Sequence, residues 1–463
     1  MRSVKSEIPT LFPCWSRRLT LLAAASFFAL SSAPAMAKLP PHVVLVENHS
    51  DVLVPWIQAK VRGAVVVNVD AHDDCLPITP EQISKLKRLF AAGDVAAIGR
   101  ANGVADSGLY NIADFITAAC ALGIAREAVW AAPLPDDLSR VFTHLPFRTW
   151  LIDSLSALRL QGPVLLTVDA DVVDHFANYR CINLVEAVRR IATTLRALPW
   201  DVKHLSVTFS CDGGYLPINI RWIGNAMVEA LEGKDLSRPQ APWLTLVKVE
   251  DWRRSLLPRD IVKRVRPLVA RQPANPWLHV YLCDALFRAD SVSSALAEGK
   301  KAARLDSGCC RILAEIGGQL ASAGRLDEAE RFLAAAPAVV NADAEFALAQ
   351  GLDRAGHTAK AIEHYSRMSK QAANYSADLL IGYGYERLGD TTQARQHYLR
   401  AVALLAKPVS EMAGFADLTL SVAAAERFFR TTGDLESAQA LRRDHRLVRY
   451  FENDKDKSGT AGH

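Results

Sequence analysis

Three short stretches concentrate groups that hold metal ions: Glu47-Asn48-His49-Ser50-Asp51, Asp70-Ala71-His72-Asp73-Asp74 and Asp169-Ala170-Asp171-Val172-Val173-Asp174. Each belongs to a run of apolar, largely β-branched residues (VVLVE, AVVVNVD, VLLTVDAD) of the kind that forms buried strands. Side chains alternate along an extended chain, so Asp70 and His72 share one side, as do Asp169 and Asp171, and Asp74 can join from the turn. Carboxylates crowded in this way repel one another and take up protons unless a cation sits among them. Hard oxygens with one or two imidazoles suit Mn²⁺, Fe²⁺ or Zn²⁺, and shared carboxylates favour two ions. The expected ligands are His49, Asp70, His72, Asp74, Asp169 and Asp171. His49 has a second role open to it, general base. Glu47 and Asp51 would orient it, with a surface role equally open to Asp51; Asp174 would cap a helix, and Glu250 would begin a connector rather than approach the site. The competing account makes Asp70, His72, Asp169 and Asp171 capping and turn residues.

The elements that must position these groups come from periodicity. From residue 42 to 250, short apolar runs alternate with amphipathic pieces such as PEQISKLKRLFAAG and INLVEAVRRIATTLRAL. The other runs are VAAIG (95–99), AVWAA (128–132), LSVTFS (205–210) and LTLVKVE (244–250). Continuous apolar strands separated by helices predict an α/β three-layer sandwich with a mainly parallel sheet. Ligands of such sheets sit at the carboxyl ends of the strands, where the acidic clusters lie.

Beyond a charged, Pro-marked connector the pattern is helical only. A turn signal recurs at Gly324, Gly356, Gly389 and Gly433, with steps of 32, 33 and 44 residues, and Ala289-Asp290-Ser291 is a degenerate earlier copy. A helix–Gly turn–helix unit at this period resembles tetratricopeptide repeats, an all-α array that stacks to bury its core and binds protein partners. The organisation expected is a signal peptide (1–37), a metal-binding domain (38–255), a connector (256–275), helical repeats (276–450) and a disordered tail (451–463).

The strand–Asp-Ala-His-x-Asp and strand–Asp-x-Asp signatures resemble the ureohydrolase superfamily of arginases and deacetylase-like amidohydrolases, over about Val43 to Glu250. The wording is most similar to an uncharacterised branch of it. Asp70, His72, Asp74, Asp169 and Asp171 match the metal positions, and His49 stands near the place of the first metal-binding His. The resemblance implies one or two Mn²⁺ ions, or Zn²⁺, and a metal-activated water attacking an amide- or guanidine-type carbon of a small-molecule or acylated substrate. It gives Asp74 a place between metal and water. Tyr215 and Asn219, in CDGGYLPIN, match a Gly-Gly-Tyr segment whose Tyr donates to the oxyanion in deacetylase-like enzymes; a packed Tyr beside a Gly turn is the alternative. ENHSD replaces the arginase GGDHS box, and the arginase proton-shuttle His has no match, so the substrate is left open. The other function class is a scaffold: repeats that bind a protein partner beside a metal domain without turnover.

Arg17-Arg18, the apolar stretch Leu19 to Leu30 and the Ala35-Met36-Ala37 site read as a secretory signal, with a weak twin-arginine likeness, so a periplasmic or secreted protein is expected. The apolar stretch is short for an uncleaved anchor. Without Arg2, Lys5, Arg17, Arg18 and Glu7 the chain holds 50 basic and 49 acidic residues, which implies neither a nucleic-acid nor an acidic-membrane partner. Seven irregularly spaced cysteines remain, with no zinc pattern among them and no defined pairing.

Overall fold

The computed structural model describes residues 42–103, 108–135, 145–211, 215–238, 241–336, 342–371, 375–405 and 419–444. The expected signal segment and polar tail lie outside these residues. No described helix is long and apolar enough to cross a membrane.

Strands β1 (Val44–Val46), β2 (Ala64–Val69), β3 (Ala125–Ala132), β4 (Phe147–Leu151), β5 (Pro163–Asp169) and β6 (Asp201–Thr208) form one parallel sheet, ordered β1-β6-β5-β2-β3-β4. Alternation splits its side chains into two cores. Val66 and Leu165 join one and Val65, Val67, Leu166 and Val168 the other. The first face is covered by α1 (Leu53–Gln58), α2 (Pro80–Ala91), α3 (Val95–Arg100) and α4 (Phe115–Ala121), which contribute Trp56, Leu86, Ile98 and Phe115. The second is covered by α5 (Asp171–Arg180), α6 (Leu184–Arg196), α7 (Trp222–Leu231) and α8 (Trp243–Ser255). Helix α6 shows why: Asn183 caps it by accepting from the Glu186 N–H, and Leu184, Val188, Ile191 and Leu195 repeat at helical spacing and are buried. Each such side chain contributes about 2 kcal/mol of burial. The parallel α/β sandwich expected from the sequence is thus present in its coarse form.

Two expected strands are helices. VAAIG forms α3, because Asp94 accepts from the Ala97 N–H and starts a turn that alanines sustain. LTLVKVE lies within α8, where Trp243, Leu246 and Val249 face the core. Glu250 there meets Arg253 at 2.9 Å and Arg254 at 2.8 Å, pairs that only helical spacing brings together. The expected connector also folds as a helix, α9 (Pro258–Arg271), with Pro258 in its first turn and Ile261 and Val265 buried one turn apart. Strand β4, half-buried at the sheet edge, had no sequence signal strong enough to mark it.

Five helix pairs follow: α10 (Pro276–Arg288) with α11 (Val292–Leu305), α12 (Arg311–Ser322) with α13 (Leu326–Ala334), α14 (Ala342–Arg354) with α15 (Thr358–Gln371), α16 (Tyr375–Arg387) with α17 (Thr391–Leu405), and α18 (Thr419–Thr431) with α19 (Leu435–Arg443). The turn glycines Gly324, Gly356, Gly389 and Gly433 all have positive φ, from 76° to 84°, which explains why glycine recurs there. In the degenerate first copy Asp290 takes that conformation, at φ 59°. A His–carboxylate bond, wholly or partly buried, ties three of the pairs across equivalent positions: His279–Glu298 at 2.6 Å, Glu345–His364 at 2.5 Å and Asp378–His397 at 2.8 Å.

Close approach within a pair depends on small residues. A Cβ on Gly382 would stand 2.6 Å from the ring of Tyr398, which is fully buried and donates to Glu386. Gly382→Ala is therefore expected to cost about 1–3 kcal/mol through overpacking, more than the ~1 kcal/mol gained in helix propensity. A lowered urea midpoint would register it, and an unchanged or raised midpoint would contradict the packing.

Candidate metal centre

Chain order reverses between β2 and β5: β2 leads on to β3 and β4 on one side, and β5 to β6 on the other. Neither neighbour's loop crosses the carboxyl end of such a gap, so a cleft opens there. Val69 pairs with Val168, which sets Asp70 beside Asp169 on adjacent strand ends. His49 reaches them from edge strand β1 through the 3-10 turn His49–Val52, and Asp171 opens α5.

All six expected ligands converge. The Nδ1 of His49 lies 2.8 Å from Asp74, 3.0 Å from Asp70 and 3.3 Å from Asp169. His72 Nδ1 lies 3.2 Å from Asp171 and 3.5 Å from Asp70. Two trios have donor atoms close enough to share one ion: His49, Asp70 and Asp169, and Asp70, His72 and Asp171. Asp70 belongs to both. Beyond β2 the chain does not stay extended. Asp74 adopts φ 52°, which turns its carboxylate back towards His49 and carries a strain of about 1 kcal/mol.

The site gathers acidic groups out of contact with water. Asp70, Asp169 and Asp171 are almost fully buried, and the donor facing Asp171 is His72 Nδ1 at 3.2 Å. One imidazole faces three carboxylates at His49, of which Asp70 and Asp169 also accept from Asn68, Ser210 and backbone N–H groups. Burial, then the neighbouring Asp70, pushes Asp74 up to about 8, and burial with Asp171 raises Asp169. Burial also raises Asp171. Burial opposes a charge on His49 too, yet Asp169 and Asp70 hold its pKa well above the ordinary value. His72, against the same opposition, is pushed up to about 12 by Asp171 and Asp70. Four buried acids and two imidazoles on oxygen-rich trios are a donor set that fits one or two divalent cations.

Positioning comes from residues the sequence did not single out. Asn68 donates to Asp70 Oδ2 at 3.1 Å, the His72 N–H donates to Asp70 Oδ1 at 2.9 Å, and Trp130 Nε1 donates to the Asp70 carbonyl at 2.9 Å. Ser210, in the left-handed region at φ 53°, donates a short hydrogen bond to Asp169. Asn68 was visible as one polar residue in an apolar strand; Ser210 left only its strand-end position. Ser210→Ala is expected to weaken divalent-metal binding about 10–100-fold, the usual effect of freeing a ligand from its support. Calorimetric titration with Mn²⁺ or Zn²⁺ would measure it, and unchanged affinity would remove Ser210 from the site.

Tyr215 borders the cleft, partly exposed, its ring centroid 4.8 Å from that of His72, and burial raises its pKa. The cleft is lined by Asn48, His49, His72, Asp74, Ile112, Asp169, Ser210 and Tyr215 and encloses about 20 Å³, space for little more than a water-sized body. Asn219, the other half of the Gly-Gly-Tyr match, is not at the site. It donates to Glu250 at 2.8 Å, and Glu250 is a buried anchor rather than the start of a connector. Residues 212–214, with both glycines of that match, lie outside the described residues. Glu47 accepts from Arg221 at 2.8 Å, and Asp51 accepts from Asn48 and Asn102, so both serve as braces of the loop. Asp174 lies inside the first turn of α5, where it accepts from Asn178 and Arg254 instead of capping. Seven cysteines, Cys75, Cys120, Cys181, Cys211, Cys283, Cys309 and Cys310, are free thiols.

No family model and no curated protein matches the chain. Among solved structures it is similar to YrrB, described as a TPR protein with an unusual peptide-binding site, at 17% identity over 41% of this chain and 97% of that one, with a TM-score of 0.28. It is also similar to a MamA structure at 22% identity, covering 34% of this chain and 86% of that one, TM-score 0.26. MamA from Desulfovibrio magneticus RS-1 gives 18% identity over 36% and 97%, TM-score 0.26. At such scores the likeness adds no weight. The repeat architecture rests on the helix pairs and their glycine turns.

Proposed function

We propose that the α/β domain is a divalent-metal centre that hydrolyses a C–N bond of amide or guanidine type, and that the helical repeats bind a protein partner. The observation that carries the metal centre is the pair of ligand trios sharing Asp70 over the β2–β5 gap. His49, Asp70, Asp74 and Asp169 would hold one cation, and Asp70, His72 and Asp171 a second, Mn²⁺ or Zn²⁺. A bound cation supplies Lewis-acid polarisation and a water of lowered pKa. The chain's residues do the remainder. Asp74 faces the cleft beside His49, where its carboxylate would take a proton from water. Tyr215 lines the cleft, where its hydroxyl would stabilise the developing oxyanion. The substrate would be a small molecule or an acylated chain, and the signal-like pattern of residues 17–37 supports a reaction in the periplasm or outside the cell.

A second reading, a metal-containing scaffold without turnover, is favoured by the small cleft and by Asn219 being committed to Glu250. One experiment separates the two. Protein loaded with Mn²⁺ or Zn²⁺ is assayed on amides, acylated amines and guanidino compounds, beside His72→Ala, Asp169→Ala and Tyr215→Phe. Turnover lost in the first two, and lowered about 10²–10³-fold in the third, supports the hydrolase. Stoichiometric metal with no turnover on any compound supports the scaffold.

A further inference from the structure

The charged segment between the two domains forms a second cleft, far in sequence from the metal ligands. On α8, Leu244, Thr245, Lys248 and Trp252 recur at helical spacing, and on α9 so do Arg264, Leu268 and Arg271. These two rows line a cavity of about 440 Å³, within the roughly 300–1,000 Å³ usual for small-ligand sites. Lys248 and Arg264 lie against the Trp252 ring, at 5.4 and 5.2 Å from its centroid, which holds both cations at the cavity wall.

The charge is uncompensated. No acidic residue lines the cavity, and Lys248, Arg264 and Arg271 form no ion pair among the described residues. Neighbouring cations are treated differently: Arg253 and Arg254 are bound to Glu250, and Lys263 to Asp260. Apolar surface stands beside the three free cations, with Leu244 half-exposed at 51% and Leu268 and Trp252 partly buried. A site with three cations suits a dianion better than a single carboxylate, and guanidinium forks match phosphate oxygens in pairs. A phosphomonoester carries about −1.5 to −2 at neutral pH.

We propose that this cleft binds a soluble phosphomonoester with a short hydrocarbon arm, the phosphate meeting Lys248, Arg264 and Arg271 and the arm lying on Trp252, Leu244 and Leu268. The test is calorimetric titration of the full chain with hexyl phosphate, inorganic phosphate, hexanol and vesicles of anionic phospholipid. Saturable binding of hexyl phosphate is expected, at least about tenfold tighter than inorganic phosphate, weakening with added salt, and with no binding of hexanol. The double variant Lys248→Glu, Arg264→Glu should weaken it more than about tenfold, and Arg271→Gln by a smaller factor. All three side chains are exposed, and circular dichroism checks that the variants keep their fold. Equal affinity in the double variant, no saturable binding of hexyl phosphate, or binding to vesicles alone would each overturn the proposal, the last by making the patch a membrane contact.

Discussion

Asp70→Ala is expected to abolish divalent-metal binding at both positions, whereas His72→Ala should leave one cation per chain. Asp70 contributes to both ligand trios, one with His49 and Asp169 and one with His72 and Asp171. Its two oxygens are also committed separately: Oδ2 faces His49 and Asn68, and Oδ1 faces His72. Losing it leaves His49, Asp74 and Asp169 at the first position and only His72 and Asp171 at the second, and removes the carboxylate common to both, which reduces affinity by well over the roughly 10–100-fold seen for supporting residues. His72 serves the second trio only and is the most exposed of the ligands, so its loss leaves the buried trio intact. Elemental analysis of purified wild type and both variants decides the matter. Wild-type protein without stoichiometric metal would end the proposal, and equal losses in the two variants would mean that Asp70 is not shared.

The second large effect concerns the junction of the domains. Trp222 of α7 is fully buried, stacks on Trp243 at 6.0 Å and donates to the hydroxyl of Tyr281 in α10 at 3.2 Å. Trp243 in turn meets Trp277 at 5.5 Å. One continuous core runs from the sheet residues Val65 and Val67 through these aromatics to Ile381 in α16. Trp222→Ala is therefore expected to destabilise the whole molecule by about 3–5 kcal/mol, the range for emptying a large aromatic site. Far-UV and near-UV dichroism should report a single unfolding transition that shifts together. For the same reason a fragment of residues 42–275 should aggregate, since it exposes Trp222 and Trp243. Two separable transitions, or a monodisperse folded fragment, would show that the core is divided.

Legibility followed the range of the interactions. The repeat turns were readable because a positive φ needs glycine wherever the helix pair must turn, and that demand is local. β2, β5 and β6 were readable because buried parallel strands need unbroken apolar residues. Val95–Gly99 and Leu244–Glu250 misled because a short apolar run suits a strand or a helix equally. What decided them was an Asp94 cap in one case and the packing of Trp243, Leu246 and Val249 in the other. Glu250 and Asn219 likewise gained their roles only when α8 met the 3-10 turn Ile218–Ile220 that carries Asn219.

By itself, the sequence determined which side chains can bind metal and that they stand at strand ends, because chemical type and strand termination are properties of a few consecutive residues. The tertiary structure decided which of them meet. Strand order put the β2 and β5 ends side by side, a left-handed Asp74 turned back to His49, and Asp70 became common to both trios. Those facts depend on contacts between residues as far apart in the chain as His49 and Asp169, which no local pattern encodes.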